Sequence, residues 1–165
     1  MKITTTAPSL FIIFLIGCLV FQRAQAITPP PDGGYPNFTT AEGDNALKAL
    51  TIGVGNTAVG TFSLFSVSTG NFNTAVGAGS LDLNQADSNT ATGTAALLFN
   101  TTGTENTASG AAALEFNNTG NFNTATGAFA LFSNTIGAGN TADGAEALYF
   151  NTGDNNTGIG TQALQ

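Results

Sequence analysis

Asn123-Thr124-Ala125-Thr126-Gly127-Ala128-Phe129-Ala130-Leu131-Phe132-Ser133-Asn134-Thr135-Ile136-Gly137-Ala138-Gly139 is one turn of a recurring phrase, and its recurrence decides the fold. The phrase also opens at Asn56, Asn73, Asn89, Asn106, Asn140 and Asn156, in steps of 16 or 17 residues, and a degenerate copy opens at Thr39. A fixed short period of this kind marks a solenoid, in which each repeat is one coil stacked on its neighbours. Aligned copies form columns. Alanine recurs at 41, 58, 75, 91, 108, 125 and 142, with Gly158 in the eighth place. Two residues on, Gly43, Gly60, Gly77, Gly93, Gly110, Gly127, Gly144 and Gly160 form an unbroken glycine column. Four further on, leucine is just as constant, from Leu47 through Leu114 to Leu164.

These columns predict an all-β parallel β-roll of about eight coils of 16 or 17 residues, each built from two short strands and two turns. In Asn-Thr-Ala-x-Gly the small residues share the inner face, leaving Thr and the variable residue outside. In the second strand Leu points in and the next residue points out, since Lys48, Asp82 and Glu115 occur there. The column after that, with Leu83, Phe99, Phe116 and Phe150, is then expected to point inward. The inner asparagines should form an amide ladder that satisfies their polar groups. The Asn-Thr-x-Gly stretch reads as a turn, with Asp87 replacing its glycine in one copy, which is one residue short there. Stacking at about 4.8 Å per coil gives a rod of about 35–40 Å. So much Gly, Thr and Asn opposes helix. An invariant leucine column argues against disorder, because a disordered chain has no interior.

The chain begins with Lys2, an apolar run from Leu10 to Phe21 and the small-x-small sequence Ala24-Gln25-Ala26. Residues 1–26 therefore read as an export signal peptide, too short in its apolar run to span a bilayer. A lipoprotein reading, with Cys18 carrying a lipid after Leu15-Ile16-Gly17, competes with it; the apolar residues Leu19-Val20-Phe21 favour cleavage after Ala26. Residues 27–38, with Pro29-Pro30-Pro31-Asp32-Gly33-Gly34, form a linker, and 39–165 the repeat domain. After residue 26 there is no cysteine, methionine or histidine, and Lys48 is the sole basic residue against ten acids. That composition excludes disulfides, His- or Cys-based metal and nucleophile chemistry, nucleic-acid binding and attraction to anionic lipid. The acids lie scattered in different columns, with neither a catalytic carboxylate pair nor the dense Gly/Asp pattern of calcium-binding rolls. We expect no enzyme, no cofactor and no metal.

Asn73-Thr74-Ala75-Val76-Gly77, Asn123-Thr124-Ala125-Thr126-Gly127 and Ala113-Leu114-Glu115-Phe116-Asn117-Asn118-Thr119-Gly120 resemble the head repeats of YadA-like trimeric autotransporter adhesins. They are also similar to the Asn-Thr-Ala-Ile-Gly arrays of bacterial surface and tail-fibre-like proteins. The resemblance spans about residues 39–165. It implies a left-handed roll, often trimeric, displayed outside the cell and adhering to host, matrix or carbohydrate surfaces. No heptad stalk or membrane-barrel pattern accompanies the repeats in this sequence, and an open last coil would offer a sheet edge to another chain.

Function is then expected in the outward places. One set is the threonine column, Thr57, Thr74, Thr90, Thr107, Thr124 and Thr141, extended by Thr157. Beside it stand Val59, Val76, Thr92, Ser109, Thr126, Asp143 and Ile159, so that Thr-Ala-Thr at 90–92 and 124–126 resembles the Thr-x-Thr ranks of β-solenoid antifreeze proteins. The bland reading is that threonine suits any exposed strand. A second set is Phe65, Phe132 and Tyr149, exposed aromatics that suit a contact site or trimer seam, or that merely shield turns.

Overall fold

The computed structural model of the chain describes residues 36–165. The export segment with Cys18, and the linker up to Tyr35, lie outside the described residues. Eight three-residue strands follow one another: β1 (Thr40–Glu42), β2 (Thr57–Val59), β3 (Thr74–Val76), β4 (Thr90–Thr92), β5 (Thr107–Ser109), β6 (Thr124–Thr126), β7 (Thr141–Asp143) and β8 (Thr157–Ile159). They form one parallel sheet in the order β1 to β8. The register sets like on like, with Thr90 on Thr107 and Ala91 on Ala108. The fold is the all-β solenoid that the period predicts. We number its coils one to eight from Thr39, Asn56, Asn73, Asn89, Asn106, Asn123, Asn140 and Asn156. Stacking already begins at Asn37, whose carbonyl accepts from the Gly55 amide at 2.9 Å.

Each coil has one strand where two were expected. The leucine segment is a turn, and every leucine in the column lies in the left-handed region, as Leu64 (φ 47°), Leu97 (φ 52°) and Leu131 (φ 51°) show. The residue two places earlier is left-handed as well, at Phe62, Gly79, Ala95, Ala112 and Phe129. This alternation breaks the in-out rule of a strand. Both the leucine and the residue before it turn inward: Ser63, Ser80, Ala96, Ala113 and Ala130 are buried beside Leu64, Leu81, Leu97, Leu114 and Leu131. Coils still bond directly here, since Leu64 N donates to Ser80 O and Leu97 N to Ala113 O, both at 3.0 Å. A left-handed non-glycine residue costs about 1–2 kcal/mol. Full burial of a leucine contributes about 1.5–3 kcal/mol, enough to offset it.

The interior is a thin slab of alanine facing leucine, closed by asparagine. Ala58, Ala75, Ala91, Ala125 and Ala142 are completely buried opposite the leucines. Size is fixed at the glycine column for a steric reason. At Gly43, with φ 120°, a Cβ would stand 2.7 Å from the backbone carbon of Gly60 in the next coil. No side chain fits between two coils so close.

The expected amide ladder is present, and a second one runs beside it. In the first, Asn73 Nδ2 donates to Asn56 Oδ1 (3.1 Å) and Asn106 Nδ2 to Asn89 Oδ1 (3.2 Å). In the second, Asn100 Nδ2 donates to Asn84 Oδ1 (2.6 Å) and Asn117 Nδ2 to Asn100 Oδ1 (2.8 Å). By sequence this second column belongs to the Asn-Thr-x-Gly turn. Both ladders also clamp the turn, as Asn106 Nδ2 and Asn117 Nδ2 converge on Gly120 O. Asp87 does not take the glycine place in coil three, one of the two 16-residue coils; Ala86 does. Asn73 Nδ2 reaches Ala86 O at 2.8 Å, as Asn89 Nδ2 reaches Gly103 O. The missing residue lies before Ala86, because Asn84 Nδ2 bonds a carbonyl two residues on, where Asn100 Nδ2 bonds one three residues on. The Asp87 carboxylate serves as a brace, accepting from Asn71 N (2.7 Å) and Asn71 Nδ2 (3.1 Å).

Candidate binding faces

The strand face is built by alternation within Thr-Ala-x. Alanine goes in, so Thr and the third residue come out. Thr90, Thr107, Thr124 and Thr141 are exposed, and Thr57 and Thr74 half-buried. Each threonine is the register partner of the next, from Thr40 through to Thr157. Strand geometry spaces them about 4.8 Å along the rod, with the second rank about 6.6 Å away. That second rank is uneven: Thr92, Ser109 and Thr126 occupy the middle, with Val59 and Val76 on one side and Asp143 and Ile159 on the other.

The leucine-turn face carries three columns, at the places two before, one after and two after each leucine, that are exposed or half-buried except at Ala112, which is buried. Phe65, Phe132 and Tyr149 belong to the middle column and are half-buried. Phe132 and Tyr149 come together, stacked at 4.9 Å and 21°. Phe65 stands apart from them, edge-on to Phe62 (5.3 Å, 74°) with Lys48 Nζ 5.7 Å above its ring. The column expected inside is outside: Leu83, Phe99 and Phe116 are 37–39% exposed and Phe150 67%. The left-handed leucine is the physical cause, because it shifts the in-out order by one place. A signal was present in the sequence. That column also holds Ala49, Ser66 and Ser133, and a core column of constant volume does not alternate between serine and phenylalanine.

Together these side chains make a strip along the rod. Phe99 stacks on Phe116 (5.1 Å, 12°), Phe116 meets Phe132 edge-on (5.0 Å, 83°), and Tyr149 meets Phe150 (4.6 Å, 71°). An open concavity of about 410 Å³ lies at one end, lined by Phe129, Glu146, Tyr149, Phe150 and Gln165. Two acids sit in the strip. Burial beside apolar neighbours raises the carboxyl pKa of Asp82 and of Glu115 above the ordinary value. Asp82 Oδ1 is buried with no hydrogen-bond partner.

A third feature, which the repeat columns alone do not mark, is aromatic. Phe38, Phe72 and Phe122 occupy a left-handed corner column, at φ 56–57°, where other coils place Gly55 and Gly139. All three rings are exposed. Among the described residues no cluster of His, Cys, Asp or Glu could hold a metal ion, and no helix is long and apolar enough to cross a membrane. No family model, curated protein or solved structure matches the chain.

Proposed function

We propose that this is an exported, non-enzymatic repeat rod that acts through its surface in the manner of an adhesin head, self-associating and holding a host, matrix or carbohydrate surface. If it follows the heads it resembles, the assembly is a trimer. The aromatic strip carries the reading. Ala, Leu and Asn already fill the interior, so Phe99, Phe116 and Phe150 have no packing reason to be large, and an exposed apolar row is a contact site. Replacing Phe116 and Phe150 by serine tests it, since Ser66 and Ser133 already occupy that column. The expected result is an unchanged melting temperature, with loss of self-association in light scattering and of adhesion to immobilised matrix and glycan. A wild-type chain that is monomeric and adheres to nothing overturns the reading.

The strand face supports a second reading, ice binding. The observation in its favour is the run of threonine-on-threonine pairings, which makes a nearly uncharged, regularly spaced array. Inhibition of ice recrystallisation that Thr107→Lys abolishes is the expected result. No inhibition by the wild-type chain removes this reading.

A further inference from the structure

The strip is not merely apolar; across coils two to six its side chains are arranged as a palindrome along the rod. Coil two carries Phe62, Phe65 and Ser66 in the three outer columns, and coil six carries Phe129, Phe132 and Ser133. The phenylalanine pairs share a geometry as well, edge-on at 5.3 Å and 74° in one and at 5.5 Å and 63° in the other. One step inward, coil three has Gly79, Asp82 and Leu83, and coil five has Ala112, Glu115 and Phe116, in both cases small, acidic and large apolar. Coil four, with Ala95, Leu98 and Phe99, is the centre. A tandem duplication of four coils does not explain this. It would match coil two to coil six just as well, and coils three and seven are both 16 residues long, but it sets Lys48 on Glu115 and Asp82 on Tyr149 and so leaves the likeness of coils three and five unaccounted for.

Nothing inside the rod asks for a palindrome, because each coil meets its neighbours by translation. A two-fold axis across the rod does ask for one. When two copies lie antiparallel, face to face, about an axis through coil four, coil two of one meets coil six of the other, and each column meets itself. We propose that the aromatic strip is the isologous interface of an antiparallel homodimer with its axis at Ala95, Leu98 and Phe99. The inference rests on the self-association reading above and replaces three parallel copies with two opposed ones.

Charge favours this placement at one pair of coils and makes it pH-dependent at another. Coil one carries Lys48, the only basic residue after Arg23, and it comes to lie against coil seven, which carries Glu146 and Tyr149. Asp82 of one copy meets Glu115 of the other. Within its own chain Asp82 lies between Phe65 and Leu98, and Glu115 between Leu98 and Phe132, so their columns place no cation beside either. Two carboxyl groups brought together out of water ionise with difficulty, so association should strengthen as pH falls into the carboxylate range.

The test uses the full chain carrying Cys18→Ser, with Ser66→Cys in one preparation and Ser133→Cys in another. The expected mass in light scattering is a dimer. A short bismaleimide should join Ser66→Cys copies to Ser133→Cys copies and should join neither preparation to itself, since like positions then lie about 19 Å apart, four coil steps. Between pH 7 and pH 4.5 the dimer should tighten about tenfold or more, and Asp82→Asn with Glu115→Gln should abolish that dependence. Self-linking within each preparation means parallel copies and overturns the proposal, as does a trimeric mass; both leave self-association standing. A monomer that forms no cross-link overturns the antiparallel pair and self-association together. A pH-independent dimer overturns the facing of the two acids.

Discussion

A leucine in the left-handed region is a residue working against its own backbone preference, and this chain holds the whole leucine column there. The cost is tolerated because the alternative is worse. An extended segment would send the residue before each leucine outward and open the slab between the alanine and leucine columns. The column's inwardness was legible in its invariance, whereas the sign of φ was not, because side-chain identity here follows packing and leaves no trace of the backbone. That single unreadable angle misplaced Phe99, Phe116 and Phe150. It also puts Asp82 half-inside, with an oxygen that nothing bonds. Folding raises the Asp82 pKa above its unfolded value, so its carboxyl is better tolerated when protonated. The favourable contribution is complete below the unfolded pKa and is lost as pH rises through the folded one. Asp82→Leu, which copies Leu98 of the next coil, should therefore raise stability at pH 7 by about 0.5 kcal/mol, a modest figure for a group still largely solvated. Urea unfolding at pH 7 and pH 3 checks the sign: the advantage over wild type should shrink at the lower pH.

The coil is the element, and hydrogen bonds to its neighbours define it as much as its strand does. With one three-residue strand per coil, the sheet alone is a weak tie between neighbours. The asparagine ladders supply the rest. Asn106 shows how much one amide holds: its N and Nδ2 reach Asn89 Oδ1, its Nδ2 also reaches Gly120 O, and its Oδ1 accepts from Asn123 N at 3.0 Å. Asn106→Ala leaves Asn123 N without its acceptor inside a buried slab, while Gly120 O keeps its bond from Asn117 Nδ2. An unsatisfied buried group costs about 1–3 kcal/mol, so the loss should be about 1–3 kcal/mol, read as a fall in the denaturant midpoint. Asn156→Ala should lose less, because that side chain is only half-buried and bonds fewer coils. The first ladder was legible because its asparagine begins the repeat and shares a face with alanine. The second was hidden by turn chemistry, since Asn-Thr-x-Gly suits an exposed turn as well as a buried one, and Leu50 and Val67 replace asparagine in the first two coils.

At the scale of the rod, stability is a sum over coils and coil-to-coil contacts, and each coil is replaceable by its neighbour. The period made this much legible, together with the strand face it dictates. The leucine-turn face was not legible as a surface, because its meaning depends on which coil opposes which. Excising coil three separates the two. Removing residues 77–92 joins Val76 to Gly93 and restores every column, since Gly77 and Gly93 hold the same place. The shortened chain should fold cooperatively with a lower melting temperature, whereas excising residues 77–84 alone breaks the register and should leave the coils beyond it unfolded. The palindrome should fail even though the solenoid survives, because Phe62 and Phe65 then lie three coils from Phe129 and Phe132, with no acidic coil to face Glu115. Circular dichroism should therefore report an intact β-solenoid in the chain lacking residues 77–92, and light scattering a monomer at concentrations where the complete chain associates. If the shortened rod associates as well as the complete one, the order of the coils carries no pairing information.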